Sequence, residues 1–503
     1  MPRGGGETRE QATAAARAHL APAVLAFRWV FLAYLAAASG FGRAFARLHV
    51  SVAGLPLFAG ELAIALLAAL GAACLWRTRA REVRRDRAVL AVLVFLAVGG
   101  AYTVVGLTRG FGIAALRDSA LVYYSMFFLF TVLFLRFRGG PGLLVAAVVA
   151  GASAGAAWRV GRFLVAPELE WGHAAPGFQA IAAWVAVLGA VAPGMGPAKR
   201  HGRIARVLAV ACCGVVVFLS AQRSVLAAIV AVAAGAACLR AAHRRAPLRR
   251  VCAAALAGLA LWLALTVSIT IHGRPIAAGV PPNGSVSVVG ALRVVCARWT
   301  DLGLAGAGAG GRPPGKPARS GSPAAGSAEG TRPESPAAGA GSTTKSFTFR
   351  VAAWRRALSR IASSPLLGIG FGPSPNLFPD RHCALVTSPT SNCGNAHNTY
   401  LTLAMRMGIP ILAAFLLANL LAATRAVRAL AVAYEPETEW LVVFSLAALL
   451  SLGVYAGLGL FLESPYLSSL YWVILGLIHG TTARAAAAAA ERQAPAQAAQ
   501  PSP

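Results

Sequence analysis

Apolar runs long enough to cross a bilayer, separated by short arginine-rich joints, recur along most of this chain. A spanning helix needs roughly 17 to 25 mainly apolar residues, because hydrocarbon offers no water to satisfy backbone N–H and C=O groups. About twelve runs can be placed, near residues 22–40, 57–75, 88–106, 120–135, 143–158, 179–195, 207–222, 224–239, 251–271, 408–424, 440–460 and 466–480. With 57% of residues hydrophobic and only 13% charged, the bilayer must be the main solvent. The expected fold is an all-α polytopic membrane protein with about 12 transmembrane helices and one large extracytoplasmic loop domain.

The net charge of +29 does not point to nucleic acid, because the arginines form joints rather than the basic face of a soluble domain. The joints fall at alternate connections: Arg77 to Arg87, then Arg136 and Arg138, Lys199 to Arg206, Arg240 to Arg250, and Arg425 with Arg428. Positive charge is retained on the cytoplasmic side, so both termini are expected inside. Ala36, Ala37 and Ala38 before Ser39 would also suit a signal-peptide cleavage site. Arg28 interrupts that stretch and a leader of about twenty residues precedes it, so a retained first helix is the favoured reading.

Residues 1–21 then form a cytoplasmic segment, 22–271 helices one to nine, 272–400 an extracytoplasmic domain, 401–480 the last three helices, and 481–503 a disordered cytoplasmic tail. Within the outer domain, 304–344 is rich in Gly, Pro, Ala and Ser and too poor in apolar surface to offset the entropy of ordering, so a disordered insert is expected. Beyond it, Val351, Trp354, Leu358 and Ile361 are spaced as one stripe of an amphipathic helix, which Ser363, Ser364 and Pro365 stop. No internal repeat is evident, which weighs against a carrier. Cys74, Cys212, Cys213, Cys238 and Cys252 lie in or beside membrane helices and read as small packing residues. Cys383 and Cys393 lie in a polar stretch of the outer loop, where a local disulfide is favoured. A zinc site of His382, Cys383, Cys393 and His397 would have no usual ligand spacing.

Ionisable residues at helix ends gather on the expected outer side: Glu61, Arg117, Asp118, Arg223 and Glu463. Charge at the membrane is costly unless paired or used, so they mark a candidate site, although each could simply snorkel to the interface. The most informative stretch runs from Gly394 to Leu401. Asn395 can cap a helix there, which would put His397 in its first turn on one face with Tyr400, Leu401 and Ala404. A helix N-terminus would keep that imidazole neutral and available as a base, while the plainer reading is a histidine bonded to a loop carbonyl.

His397-Asn398-Thr399-Tyr400-Leu401 ahead of Gly408, Ile409 and Pro410 resembles the His-Asn-x-Tyr-Leu segment closing the outer loop of the O-antigen ligase and polysaccharide polymerase family. Arg350 and Trp354, then Pro365-Leu366-Leu367-Gly368-Ile369-Gly370-Phe371-Gly372, look like its Arg, Trp, Pro-Leu-Leu-Gly-x-Gly pattern, and Ser220 to Ser224 resemble its Ser-Arg-Ser corner. The similarity runs roughly from Val207 to Gly480. Gln222 stands where the family often has Ser, Arg406 where it often has an acidic residue, and the insert is untypical.

The resemblance implies a C-type membrane glycosyltransferase of the bacterial inner membrane, with its site facing the periplasm. It would move a glycan from a polyprenyl-diphosphate carrier to a lipid or glycan acceptor without metal or other cofactor. His397 would serve as the catalytic base, Arg223 and Arg350 as ligands of the diphosphate, and Asn398 and Tyr400 as substrate-binding residues. The rival from another class is a lipid-linked oligosaccharide flippase or other carrier; a glycan-binding sensor or scaffold is a third.

Overall fold

The computed structural model describes residues 5–52, 55–78, 86–137, 140–165, 177–191, 200–219, 223–243, 342–373, 377, 396–432, 435–459 and 461–498. The chain divides into two compact units, Met1–Leu259 with Phe349–Pro503, and Ala260–Thr348; the bundle and the site belong to the first. Its helices are α1 (Gly5–Phe41), α2 (Arg43–Arg47), α3 (Ala59–Thr78), α4 (Arg87–Thr108), α5 (Ile113–Asp118), α6 (Ala120–Tyr123), α7 (Met126–Arg136), α8 (Pro141–Val165) and α9 (Gly177–Ala190). They continue as α10 (Arg200–Leu219), α11 (Arg223–His243), α12 (Ser342–Ser363), α13 (Thr399–Met407), α14 (Ile409–Val432), α15 (Pro436–Leu458) and α16 (Pro465–Ala498). One antiparallel hairpin, β1 (His49–Val52) with β2 (Leu55–Phe58), joins α2 to α3 and pairs His49 with Phe58.

Seven helices among the described residues are long and apolar enough to cross a membrane: Pro22–Phe41, Arg87–Thr108, Ile113–Arg136, Pro141–Arg162, Ile409–Ala431, Pro436–Leu458 and Pro465–Arg492. Shorter apolar helices at Ala59–Leu75, Gln179–Ala190, Ile204–Val217 and Ser224–Ala237 coincide with four more of the expected runs. The run at 251–271 lies outside the described residues, as do most of the insert at 304–344, Cys383 and Cys393. The chain is thus a multi-pass helical membrane protein.

Side-chain size sets the packing inside the bundle. Ala36 and Gly40 of α1 face Gly151 and Gly155 of α8 so closely that a Cβ at either α8 glycine would strike the α1 backbone. This four-residue spacing of small residues lets two helices approach in lipid, where dispersion rather than water exclusion drives association. Next to it, Phe27, Phe31 and Tyr34 of α1 stack and edge onto Phe127, Phe130 and Phe134 of α7. The first helix is therefore built into the core, and Arg28, which interrupts its apolar run, lies over the Phe134 ring at 5.8 Å. Polar groups inside find partners across helices, as where Trp184 Nε1 of α9 donates to Ser451 Oγ of α15 at 3.0 Å.

The amphipathic helix α12 corrects the sequence reading. Among its described side chains Ala353, Ala357 and Ile361 are buried and Trp354 half-buried, while Leu358 is 53% exposed. The packed face is thus turned from the expected Val351, Trp354, Leu358 and Ile361 stripe toward the small residues. These admit Ala396, Ala404 and Met405 at close range, forming a second cluster with Leu377. The helix begins at Ser342, inside the stretch expected as insert, and ends at Ser363 before Pro365 as expected.

Candidate functional site

Two short elements carry the motif residues to one end of the bundle. α13 starts at Thr399, not earlier: Asn398 is its N-cap, with extended backbone (φ −152°, ψ 112°), and its Oδ1 accepts the Leu401 N–H at 3.1 Å. The expected cap, Asn395, lies outside the described residues, and His397 sits ahead of the first turn rather than within it. His397 is the non-glycine residue with positive φ (50°) among the described residues. That conformation is uncommon for a residue with a Cβ and is held here by its neighbours. On one side Trp354 Nε1 donates to the Ala396 carbonyl at 2.7 Å; on the other the Asn398 carbonyl accepts Thr402 N–H at 2.9 Å and Thr402 Oγ1 at 3.0 Å.

Arg350, one turn before Trp354 on α12, donates from Nη1 to the Leu458 carbonyl at 3.1 Å. Leu458 ends α15, where helix carbonyls lack intrahelical partners and the dipole favours a cation. Thr399 Oγ1 donates to the next carbonyl, Gly459, at 3.4 Å. The structure thus brings Arg350, His397 and the end of α15 together. Burial first, and the Arg350 charge second, lower the His397 pKa below the ordinary imidazole value. The neutral imidazole expected from a helix N-terminus therefore has a different origin: desolvation and a neighbouring guanidinium.

Tyr400 reaches sideways, donating to the Gly453 carbonyl of α15 at 2.8 Å, and burial raises its pKa. Its ring lines an apolar groove of about 520 Å³ between α11, α14 and α15, with Val232, Leu416, Leu420, Leu446 and Leu450 among its walls. From Val443 to Val454 the groove follows α15 for twelve residues, a rise of roughly 16 Å at 1.5 Å per residue step. Arg223 is the first residue of α11, one wall of this groove; its side chain lies outside the described residues.

The Pro-Leu-Leu-Gly-Ile-Gly-Phe-Gly stretch is a glycine-rich turn clamped to α13. Gly368, Gly370 and Gly372 take φ values of 66°, 81° and 101°, a region costly for side chains with a Cβ. The backbone bonds to the end of α13 through Ile369 N–H to Met405 O at 2.8 Å and Gly370 N–H to Arg406 O at 3.0 Å. The Arg406 side chain, 5% exposed, donates to Gly370 O at 3.2 Å and Pro373 O at 2.7 Å and pairs with Asp118 of α5 at 3.0 Å. Asp118 in turn accepts the Gly372 N–H at 2.7 Å. Glu463, half-buried in the link from α15 to α16, feels both charges. Burial, then Asp118, push its carboxyl up to about 8, with Arg406 opposing.

From sequence, Arg406 was only a departure from a motif and Asp118 only a charge near a helix end. Their pairing across 288 positions leaves no local signal. Glu61, also flagged from sequence, is satisfied locally, accepting Phe58 N–H and Tyr123 Oη, each at 3.2 Å.

Fold and site together define a multi-pass membrane protein with a half-buried histidine and an anchored arginine at one end of its bundle, beside an apolar groove. Residues 208–416 match the family model described as O-antigen ligase, so over this region the chain is similar to that family. No curated protein matches the chain.

Proposed function

We propose that the chain is an inverting membrane glycosyltransferase that moves a glycan from a polyprenyl-diphosphate carrier to a lipid or glycan acceptor, at the outer face of a bacterial inner membrane. The observation that carries this reading is the meeting of a half-buried His397, its pKa lowered by burial and by Arg350, with that arginine beside a groove suited to an isoprenoid tail. The reading also takes about twelve spans with cytoplasmic termini, a metal-free site, a Cys383–Cys393 disulfide, and Arg223 and Arg350 as the diphosphate clamp.

In this mechanism the lipid tail lies in the groove, which follows α15 up toward Leu458, and the diphosphate sits above it. Among the described residues Arg350 makes one hydrogen bond, to Leu458, so four of its five N–H donors remain for phosphate oxygens. His397 accepts the proton of the acceptor hydroxyl as its oxygen attacks the anomeric carbon. The bond from that carbon to the diphosphate oxygen breaks, and the electron pair leaves with the polyprenyl diphosphate. Arg350 and Arg223 stabilise the charge that develops there, the contribution of positioned cations to the leaving diphosphate. Asn398 shapes the site through its cap, and Tyr400 closes the groove beneath.

The test is transfer of glycan from a polyprenyl-diphosphate donor by purified protein and its His397→Asn variant. Asparagine tolerates the left-handed backbone at this position and removes the base. Turnover falls by about 10² to 10⁴-fold if the imidazole is the base. Near-normal turnover by the folded variant rejects the mechanism.

A further inference from the structure

The Arg406–Asp118 pair is more than a buried charge made neutral. It is the point where three separate elements meet: α13, the glycine turn and α5. α13 is only nine residues long, and Asn398 and His397 are continuous with its N-terminus. So short a helix has little stability of its own, and its height and rotation are set by what holds its far end. That end is held four ways. Ile369 and Gly370 bond to the carbonyls of Met405 and Arg406, the Arg406 fork reaches two turn carbonyls, and Asp118 grips both the guanidinium and the Gly372 N–H. A Cβ at Gly408 or Gly368 would overlap the opposing backbone, so turn and helix are seated at contact distance. The site end of α13 is tied by the Thr399 and Tyr400 bonds to the Gly459 and Gly453 carbonyls and by the Trp354 bond to Ala396.

We propose that Arg406 and Asp118 form a positioning clasp for the transferase site, fixing α13 against the glycine turn so that His397 and Asn398 stand in register with Arg350. The proposal rests on the transferase reading for its kinetic consequence but not for its structural one. The clasp also accounts for the departure at Arg406. An arginine there supplies the cation, and Asp118 of a distant helix supplies the acid, with both members oriented by turn backbone. Neither side chain touches substrate; both act through α13.

The experiment compares Asp118→Asn, Arg406→Gln and Arg406→Lys in the full chain, in lipid nanodiscs, by two readouts. Amide hydrogen exchange over Thr399–Met407 speeds by tenfold or more in Asp118→Asn and Arg406→Gln. Donor transfer by the same folded protein loses about 10- to 100-fold in kcat with donor KM within about threefold, because groove and Arg350 anchor are untouched. Arg406→Lys, which keeps the charge opposite Asp118, recovers most of the kcat. Where Arg406→Gln does not fold, Asp118→Asn carries the test, since its amide oxygen still accepts the Gly372 N–H. Unchanged exchange, or unchanged kcat per folded molecule, overturns the clasp. A fall in apparent kcat that tracks only the folded fraction also overturns it, because that is bare stability. Activity retained in His397→Asn defeats only the assignment of His397 as base, whereas absence of any transfer by the parent protein defeats the transferase reading and leaves exchange to decide the clasp.

Discussion

Replacing Glu463 by glutamine should make the protein more stable, and by an amount that depends on pH in a defined way. The Glu463 carboxyl is raised from 4.5 to about 8, chiefly by burial and then by Asp118. The folded state therefore holds a proton that the unfolded state gives up above about 4.5. Stability from this group is fully present below that value and is lost as pH rises toward 8. A displacement of this size, at about 1.36 kcal/mol for each pH unit, sets a ceiling of about 5 kcal/mol. Part of the side chain meets solvent, and screening there brings the expected figure to about 2 to 3 kcal/mol. Glutamine has the same shape and no proton to lose, so it escapes the penalty. Thermal unfolding in nanodiscs, followed by tryptophan fluorescence, should show variant and parent alike at pH 4.5 and separated by about 2 to 5 °C at pH 8.5, the variant being higher. Asp118→Asn should shift the upper edge of the window down, because the Asp118 charge helps hold the proton on Glu463. Parallel curves for parent and Glu463→Gln across this range would refute the account of Glu463 as a carboxyl held neutral.

For the proposed base, kcat/KM for transfer should fall as pH drops, with the acid limb below the ordinary imidazole value of 6.5 because burial and Arg350 favour the neutral ring; a limb above 6.5 would refute it. Filling the groove with Gly453→Leu, at a position lining it beside Tyr400, should raise KM for long polyprenyl donors about tenfold and leave short-chain donors little changed. Equal effects on both would mean that the tail lies elsewhere. Cysteine labelling in intact cells should reach residues 300–395 from outside and 77–87 and 240–250 only after permeabilisation; labelling of 300–395 from the cytoplasm would reverse the orientation. Cys383 and Cys393 should be bonded, closing a loop of about ten residues worth about 2 to 3 kcal/mol, and free thiols at both in protein from an oxidising compartment would count against it.

The sequence by itself determined where the helices lie. Bilayer thickness and backbone hydrogen bonding impose a length and polarity on every span, and these are written locally in consecutive residues. Eleven of the expected runs coincide with apolar helices of the bundle, seven of them at full spanning length. The motifs around Arg350, Gly368 and His397 were equally legible, and the structure brings them to one end of the bundle. Other features were decided only when the chain closed on itself. α12 turns its alanines inward because neighbouring backbones need close approach there, whereas an apolar count favours the larger residues. His397 falls outside α13 because Asn398, with Leu401 N–H in reach, captures the cap. The neutral state of His397 comes from burial and from Arg350, the high pKa of Glu463 from burial and Asp118, and the role of Arg406 from an aspartate 288 positions away. Coulomb energy and desolvation depend on distance and surroundings in space, and spacing along the chain carries neither.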